Sequence, residues 1–195
     1  MDPRQERSRA AITSAFEQLL AEKDYDQITV VNVIGRAHVG RATFYANFRN
    51  KDDLLATEVA KVCGHALDPA EHGPAPAVGD VDDLCRLVEG VLIRLLEGGE
   101  GLAGIIKGSG SERFADFMRH EVVARALQLM PQEPQGPAAS LDRSFLAHYI
   151  ASSFVSVVRW WAWHGFAASP HALARDYLAC ILPLFGMGPE RESGR

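Results

Sequence analysis

Residues 28–54 constrain this chain more than any other stretch. Val30, Val33 and Ile34 place one apolar stripe at helical spacing, and Thr29 stands just before them as an N-cap. The tetrapeptide Ala-His-Val-Gly then interrupts the helix. A helix of so few turns is marginal in water by itself. The stretch therefore predicts a short capped helix that ends at a tight turn and packs on another element.

A second short helix is predicted from Arg41 to about Asn47. Phe44 and Phe48 lie four residues apart, so both side chains face inward. The other face presents Arg41, Ala42, Thr43 and Tyr45. Two short helices joined by a tight turn, with a polar outer face on the second, are the layout of a helix-turn-helix whose second helix enters the DNA major groove.

Residues 12–54 also contain a series that occurs in the same order in one known family. Its members are Ile12, Ala15, Phe16, Tyr25, Thr29, Ala37, Val39, Arg41, Thr43, Phe44, Tyr45, Phe48, Lys51 and Leu54. The series resembles the DNA-binding domain of the tetracycline-repressor (TetR) family of bacterial transcription regulators. Gly35, His38, Gly40 and Ala42 depart from the residues usual in that family. His38 stands at a turn that needs a positive φ, which histidine tolerates better than a branched side chain.

The resemblance implies a DNA-binding transcriptional regulator, more specifically a repressor that binds a near-palindromic operator. We expect Arg41 and Thr43 to approach base edges, and Thr29, Tyr45 and Lys51 to hold phosphates. The predicted DNA-binding residues are Thr29, Arg41, Ala42, Thr43, Tyr45, Asn47 and Lys51.

The distribution of charge supports a nucleic-acid partner, although the chain as a whole carries a net charge of −5. Residues 1–50 have a net charge of +1, and the remainder has −6. Residues 27–51 contain four basic side chains and no acidic one. A local basic face on an acidic body suits a DNA-binding protein. The alternative is a helical adaptor protein whose helix-turn-helix contacts another protein; the acid-free stretch disfavours it.

The whole chain is predicted to be all-α, because no stretch of any length alternates as a strand does. We expect a three-helix DNA-binding domain at residues 1–49 and a helical effector-binding and dimerisation domain at residues 50–195. A connecting helix from Asn50 to about Leu67 joins them. Loops rich in proline are predicted at residues 68–79 and 131–140, and Gly101 is predicted to break a helix.

The last two predicted helices, at residues 141–166 and 170–186, are unusually apolar. The first is apolar on nearly all sides and therefore needs cover on both faces. Trp160, Trp161 and Trp163 cluster where an interface would place large anchors. The resemblance implies that these helices pair with their copies in a homodimer, whereas an ordinary intramolecular core is the alternative for any single tryptophan.

The resemblance also implies a cavity for an unknown small-molecule effector. The connecting helix and the helices that follow it, up to the last two long helices, would enclose this cavity. The predicted lining residues are Leu92, Phe114, Phe117, Met118 and Tyr149. Each of them alone could equally be an ordinary core residue, because methionine and aromatic side chains at helical spacing usually are.

Several classes of function are disfavoured by the sequence. His120-Glu121 lacks a second histidine at zinc spacing, and no serine stands in a nucleophile-elbow pattern, so we expect no catalytic residues, no metal site and no cofactor. Three widely spaced cysteines form no disulfide framework. No signal-peptide pattern and no uncharged run of membrane-spanning length occurs. A cytoplasmic location without membrane contact is therefore expected.

Overall fold

The structure of the protein, a computed structural model, describes residues 3–65 and 81–187. These two ranges contain α-helices and short 3-10 turns and no strand, as the sequence predicts. The α-helices are α1 (Pro3–Glu22), α2 (Val30–Ala37), α3 (Arg41–Asn47), α4 (Lys51–His65), α5 (Val81–Glu97), α6 (Gly99–Lys107), α7 (Ser111–Leu129), α8 (Arg143–Trp163) and α9 (Pro170–Ile181). The 3-10 turns are Tyr25–Gln27, Gly136–Ser140 and Leu182–Phe185.

The first three helices share one apolar core. Ile12 and Phe16 of α1 and Phe44 of α3 are completely buried. The ring centroids of Phe44 and Phe48 lie 6.1 Å apart, and both side chains are buried. The predicted inward stacking of these two rings is therefore confirmed. α1 is the platform that the two short helices need.

α4 begins directly after α3 and continues into the second part of the chain. Asn50 Oδ1 accepts a hydrogen bond from the N–H of Asp53 at 2.9 Å, so Asn50 is the N-cap of α4. Asp53 Oδ2 accepts from the N–H of Arg49 at 3.0 Å, so the return bond of this partial capping box reaches the residue before the cap. The predicted end of α4 near Leu67 and the predicted loop at 68–79 lie outside the described residues.

α6 corrects one prediction. The helix break expected at Gly101 is wrong, because α6 runs through this residue. A Cβ atom added to Gly101 would lie 3.4 Å from Glu17 O and 3.4 Å from Leu20 Cβ, both on α1. Gly101 therefore allows α6 to approach α1 closely, so the N-terminal helices rest directly on the second part of the chain.

α8 and α9 start at capped positions. Asp142 Oδ1 accepts from the N–H of Phe145 at 2.9 Å, and Ser169 Oγ accepts from the N–H of Ala172 at 3.2 Å. α8 ends at Trp163, three residues before the predicted end, where the chain turns through Gly165 and Phe166 at positive φ. Within residues 3–65 and 81–187, no helix combines the length and apolar character needed to cross a bilayer.

Candidate nucleic-acid interface and apolar cavity

The first helix of the motif is capped by side chains at its N-terminus and ended by the backbone conformation of His38 at its C-terminus. Thr29 Oγ1 accepts from the N–H of Asn32 at 3.2 Å, and Asn32 Oδ1 accepts from the N–H of Thr29 at 2.9 Å. This is a complete capping box. His38 ends the helix in the left-handed conformation, with φ 52° and ψ 39°. The turn between α2 and α3 is therefore fixed by these local interactions.

α3 turns a polar face outward from this platform. Arg41, Ala42 and Tyr45 are exposed and Thr43 is half-buried. The ring of Tyr45 packs edge-on against that of buried Phe44, with centroids 5.3 Å apart, which fixes the direction of its phenol. Within the described residues, the guanidinium of Arg41 makes no hydrogen bond or ion pair. The structure thus brings four of the predicted contact residues together on one accessible surface.

Asn47, also predicted to contact DNA, is turned toward its own helix. Its Nδ2 donates to Thr43 O at 2.8 Å, and its side chain is partly buried. Its main-chain oxygen accepts from Arg9 Nη1 at 3.4 Å, and the Arg9 guanidinium lies 4.5 Å from the centroid of the Phe48 ring. Arg9 therefore ties α1 to the carboxyl end of α3.

Lys51 has an internal partner as well. Its Nζ donates to Tyr25 O at 2.8 Å and lies 4.3 Å from the centroid of the Tyr25 ring. A phosphate would have to compete with this bond for the ammonium group. Lys51 accordingly fixes the Tyr25–Gln27 turn in this structure, and its phosphate role stays a prediction.

The other basic residues near the motif differ in their availability. Arg36 forms two hydrogen bonds to Glu22, at 2.8 and 2.7 Å. This contact lowers the pKa of the Glu22 carboxyl and raises the pKa of Arg36. Arg49 is exposed at the α3–α4 junction, and its guanidinium has no partner in the part of the chain that the structure describes. Arg41 and Arg49 are thus the two free cations of the acid-free stretch.

A polar link connects the helix-turn-helix to α7. Asp52, in the first turn of α4, accepts a hydrogen bond from the Tyr25 hydroxyl. Its Oδ2 also forms an ion pair with Arg113 Nη1 at 2.6 Å. Burial and the neighbouring Asp52 carboxylate raise the pKa of Tyr25, so its hydroxyl keeps its proton. Asp26 N donates to Ser109 Oγ at 3.2 Å beside this link.

An apolar cavity of about 140 Å³ lies among α4, α5, α7, α8 and α9. Val88 and Val91 of α5, Ile150 and Phe154 of α8 and Ile181 of α9 are among the side chains that line it. Its size is comparable to an engineered apolar cavity of ~150 Å³ that binds benzene. This cavity therefore has space for a small apolar molecule or an apolar group of a larger one.

Three polar side chains reach this cavity. The Tyr177 hydroxyl donates to Ile150 O at 2.8 Å, and burial raises its pKa. Burial raises the pKa of the Cys63 thiol to about 12, so Cys63 is neutral at physiological pH. Arg125 Nε is buried and has no hydrogen-bond partner among the described residues. Arg125 is also the one charged side chain among the described residues that line the cavity.

Comparison with known proteins agrees with this arrangement. Residues 12–57 match the family described as bacterial regulatory proteins, tetR family. Over this stretch the chain is similar to that family. The chain is also 25% identical to YxbF of Bacillus subtilis, an uncharacterised HTH-type transcriptional regulator, over 91% of this chain. This chain spans 45% of the length of that relative.

Two solved structures share the fold of most of this chain. A TetR transcriptional regulator from Streptococcus agalactiae is 24% identical, with a TM-score of 0.60 over 92% of this chain and 96% of that one. NalD of Pseudomonas aeruginosa, the secondary repressor of the MexAB-OprM multidrug efflux pump, is 17% identical, with a TM-score of 0.63 over 92% and 97%. At these identities the comparisons establish the fold alone.

The five residues predicted to line an effector site do not line the cavity. Leu92, Phe114 and Met118 are buried in the core, and Phe117 is partly buried against it. Tyr149 is half exposed on the outer face of α8. On α5, for example, Leu92 is buried in the core, whereas its neighbour Val91 lines the cavity.

Two functional candidates were missed from the sequence. Arg49 belonged to the acid-free stretch, and its position one residue before the N-cap of α4 was the available signal. Arg125 had no comparable signal, because an arginine on α7 resembles any solvated charge until the packing is known. In the ranges that the structure describes, no group of three or more His, Cys, Asp or Glu side chains could hold a metal ion.

Proposed function

We propose that this chain is a DNA-binding transcriptional regulator that reads an operator with α3. The observation that carries the proposal is the exposed face of α3, which presents Arg41, Thr43 and Tyr45 on a helix-turn-helix of the TetR family. Residues 1–49 serve as the DNA-binding domain, and residues 50–195 bind an effector and a second copy of the chain.

The proposed contacts divide into two classes. Arg41 and Thr43 read base edges, because they stand at the exposed start of the helix that enters the major groove. Arg49, with its free guanidinium, joins the phosphate contacts. The remaining proposed contact residues are Thr29, Ala42, Tyr45, Asn47 and Lys51.

The proposed partner in the regulator is a second copy of the chain. One face of α8 packs into the core, whereas the opposite face exposes Phe145 and Tyr149. Trp160 and Trp163 are 51% and 65% exposed, although Trp161 between them is completely buried. Large apolar side chains exposed at both ends of one helix, with exposed Ser152 and Ser156 between them, favour an interface. A twofold dimer through residues 141–166 and 170–186 sets two α3 helices about one DNA turn (~34 Å) or somewhat more apart.

The proposed regulator is a repressor that a small effector releases from a palindromic operator. The cavity lies between α4, which begins beside α3, and α7, which contacts Asp52 through Arg113. An effector acts only if it binds the two arrangements of the DNA-binding domains with different affinity. A cavity lined by helices that also contact the motif supports such a coupling.

Selection from a random duplex library, followed by a binding titration at several salt concentrations, tests the function. We expect one enriched near-palindromic sequence, and a logarithm of affinity that falls linearly with the logarithm of salt concentration. Arg41→Ala should cost ~1–3 kcal/mol and relax the preference at one base pair of each half-site. Arg49→Ala should weaken binding to all sequences alike and make the salt slope shallower by about 1 per site.

The matched control is Arg86→Ala, which removes an exposed arginine of α5 that pairs with Asp83. Its affinity and salt slope should equal those of the unaltered protein. If no duplex is retained at low salt, the DNA-binding proposal is wrong. That result would favour the alternative of a helical adaptor whose helix-turn-helix contacts another protein.

A further inference from the structure

The unpartnered Nε of half-buried Arg125 is the feature of the cavity that the proposed function leaves unexplained. A buried polar atom without a hydrogen bond is costly, because it has lost the hydrogen bond that water would make to it. No acceptor among the described residues forms a hydrogen bond with Arg125 Nε, and most of the cavity lining is apolar. An acceptor supplied from outside would remove this cost.

The protein's own groups do not fill that role. The Cys63 thiol is neutral, and its Sγ faces Met118 Sδ at 3.4 Å. The Tyr177 hydroxyl donates its proton to Ile150 O. Glu121 lies one turn before Arg125 on α7, but no hydrogen bond or ion pair joins the two side chains within residues 81–187 and 3–65.

We infer that the effector is an organic acid with an apolar tail, whose carboxylate binds Arg125 while the tail occupies the cavity. A guanidinium pairs with a carboxylate through two parallel N–H···O bonds, which a hydroxyl or a neutral amide does not reproduce. The apolar lining from five helices accommodates the tail. The inference rests on the proposed function, because it names the ligand class of the same effector cavity.

Calorimetric titration of the full-length protein with octanoate and with octan-1-ol tests the inference. The two probes have the same tail length and differ in the charge of the head group. We expect the unaltered protein to bind octanoate at least about tenfold more tightly than octan-1-ol, since hydrogen bonds to a charged group correspond to roughly 10- to 100-fold in affinity. Arg125→Met should lose this preference and keep the affinity for the alcohol.

Two further variants keep the test decisive. Arg125→Lys retains the charge and should keep a reduced preference for the acid, which covers the case in which Arg125→Met does not fold. Arg119→Met is the matched control, because Arg119 stands on the same helix and pairs with Asp116 at 2.7 Å; it should bind octanoate as the unaltered protein does. Equal affinity for acid and alcohol, or no binding of octanoate, overturns the inference.

Operator binding by the ligand-free protein separates this inference from the proposed function. If the protein binds its selected duplex but shows no preference for the acid, only the ligand class is wrong. If octanoate binds through Arg125 but no duplex is retained, the ligand class stands and the DNA-binding proposal falls.

Discussion

Arg113 Nη1, at the start of α7, binds Asp52 Oδ2, in the first turn of α4, at 2.6 Å. The same carboxylate accepts the hydroxyl hydrogen of Tyr25, which stands just before the helix-turn-helix. On α7, Arg113 and Arg125 are twelve residues apart, which corresponds to about 18 Å of helix. A single helix, α7, thus contacts both the cavity and the base of the DNA-binding motif.

The first prediction concerns this ion pair. Arg113→Ala should leave the free energy of unfolding within ~1 kcal/mol of the original value, because the pair is partly exposed. It should nevertheless increase hydrogen exchange in the Tyr25–Gln27 turn and the first turn of α4, since local contacts set local opening. Exchange measured by mass spectrometry, together with chemical unfolding, checks both parts.

Arg119→Ala is its control, because Arg119 pairs with Asp116 on the same helix at 2.7 Å without reaching the motif. Unchanged exchange at the Tyr25–Gln27 turn is expected for this variant. Equal exchange in the two variants would show that the Arg113–Asp52 pair does not restrain the DNA-binding motif.

The second prediction concerns the exposed face of α8. Sedimentation at low micromolar concentration should give twice the chain mass of 21.3 kDa. Trp163→Glu should yield monomers, because it places an uncompensated charge in the proposed α8 contact. Ile93→Glu, which alters an exposed apolar residue of α5, should stay dimeric. A monomeric unaltered chain that still binds a full operator contradicts the α8 interface.

The helix-turn-helix was predictable because its residues act locally. Thr29 caps α2 and His38 adopts a positive φ, and both roles follow from residues within a few positions. The paired rings of Phe44 and Phe48 follow from helical spacing in the same way. These interactions need no knowledge of distant packing, so the sequence suffices for them.

The cavity was not predictable for the opposite reason. Val91 and Leu92 are neighbours of the same chemical class on α5, yet Val91 lines the cavity and Leu92 is buried in the core. Which of them faces the cavity depends on how α5 lies against α9, a contact between residues far apart in the chain. Periodicity identifies the apolar face of a helix, but it does not show which residues of that face line a cavity and which pack in the core. Gly101 was misjudged similarly, because its role is the approach of α1.

The third prediction concerns Glu58, a buried acid of α4. Burial raises the pKa of its carboxyl to about 7, Lys61 Nζ at 2.7 Å opposes the shift, and the Glu17 carboxylate of α1 adds to it. Arg94 and Glu97 of α5 line the same cleft. Because the folded state holds this proton more tightly than the unfolded state, Glu58 contributes stability that is complete below pH 4.5 and is lost as the pH rises to about 7.

Glu58→Gln should therefore flatten the fall of stability across this pH range. Since one pKa unit corresponds to about 1.4 kcal/mol and Lys61 offsets part of the cost, we expect the variant to gain ~1–3 kcal/mol relative to the original at pH 8 and almost nothing at pH 4. Urea unfolding at several pH values checks this. Glu22→Gln should show the opposite pH dependence of stability. Because Arg36 lowers the pKa of Glu22, the stability that this carboxylate contributes is lost as the pH falls. A gain for Glu58→Gln that does not vary with pH contradicts the assignment.

The last prediction compares two glycines. A Cβ atom on Gly110, which precedes α7, would lie 3.0 Å from Tyr25 Cβ and Cγ and 3.1 Å from Ile105 Cγ2. Gly110→Ala should therefore push the Tyr25 turn away from α7 and cost ~1–3 kcal/mol. A Cβ on Gly35, within α2, meets no atom within 4 Å, so Gly35→Ala should stabilise the protein by ~0.5–1 kcal/mol through helix propensity alone.

Thermal unfolding of both variants at one fixed protein concentration decides the comparison, because the melting temperature of a dimer depends on concentration. The two substitutions add the same methyl group, so opposite signs isolate the surroundings of each glycine as the cause. If Gly110→Ala melts with or above the original protein, the contact between the Tyr25 turn and α7 is loose enough to yield. In that case the polar contacts of this region, Arg113–Asp52 and Asp26 N–Ser109 Oγ, and not packing at Gly110, restrain the Tyr25 turn.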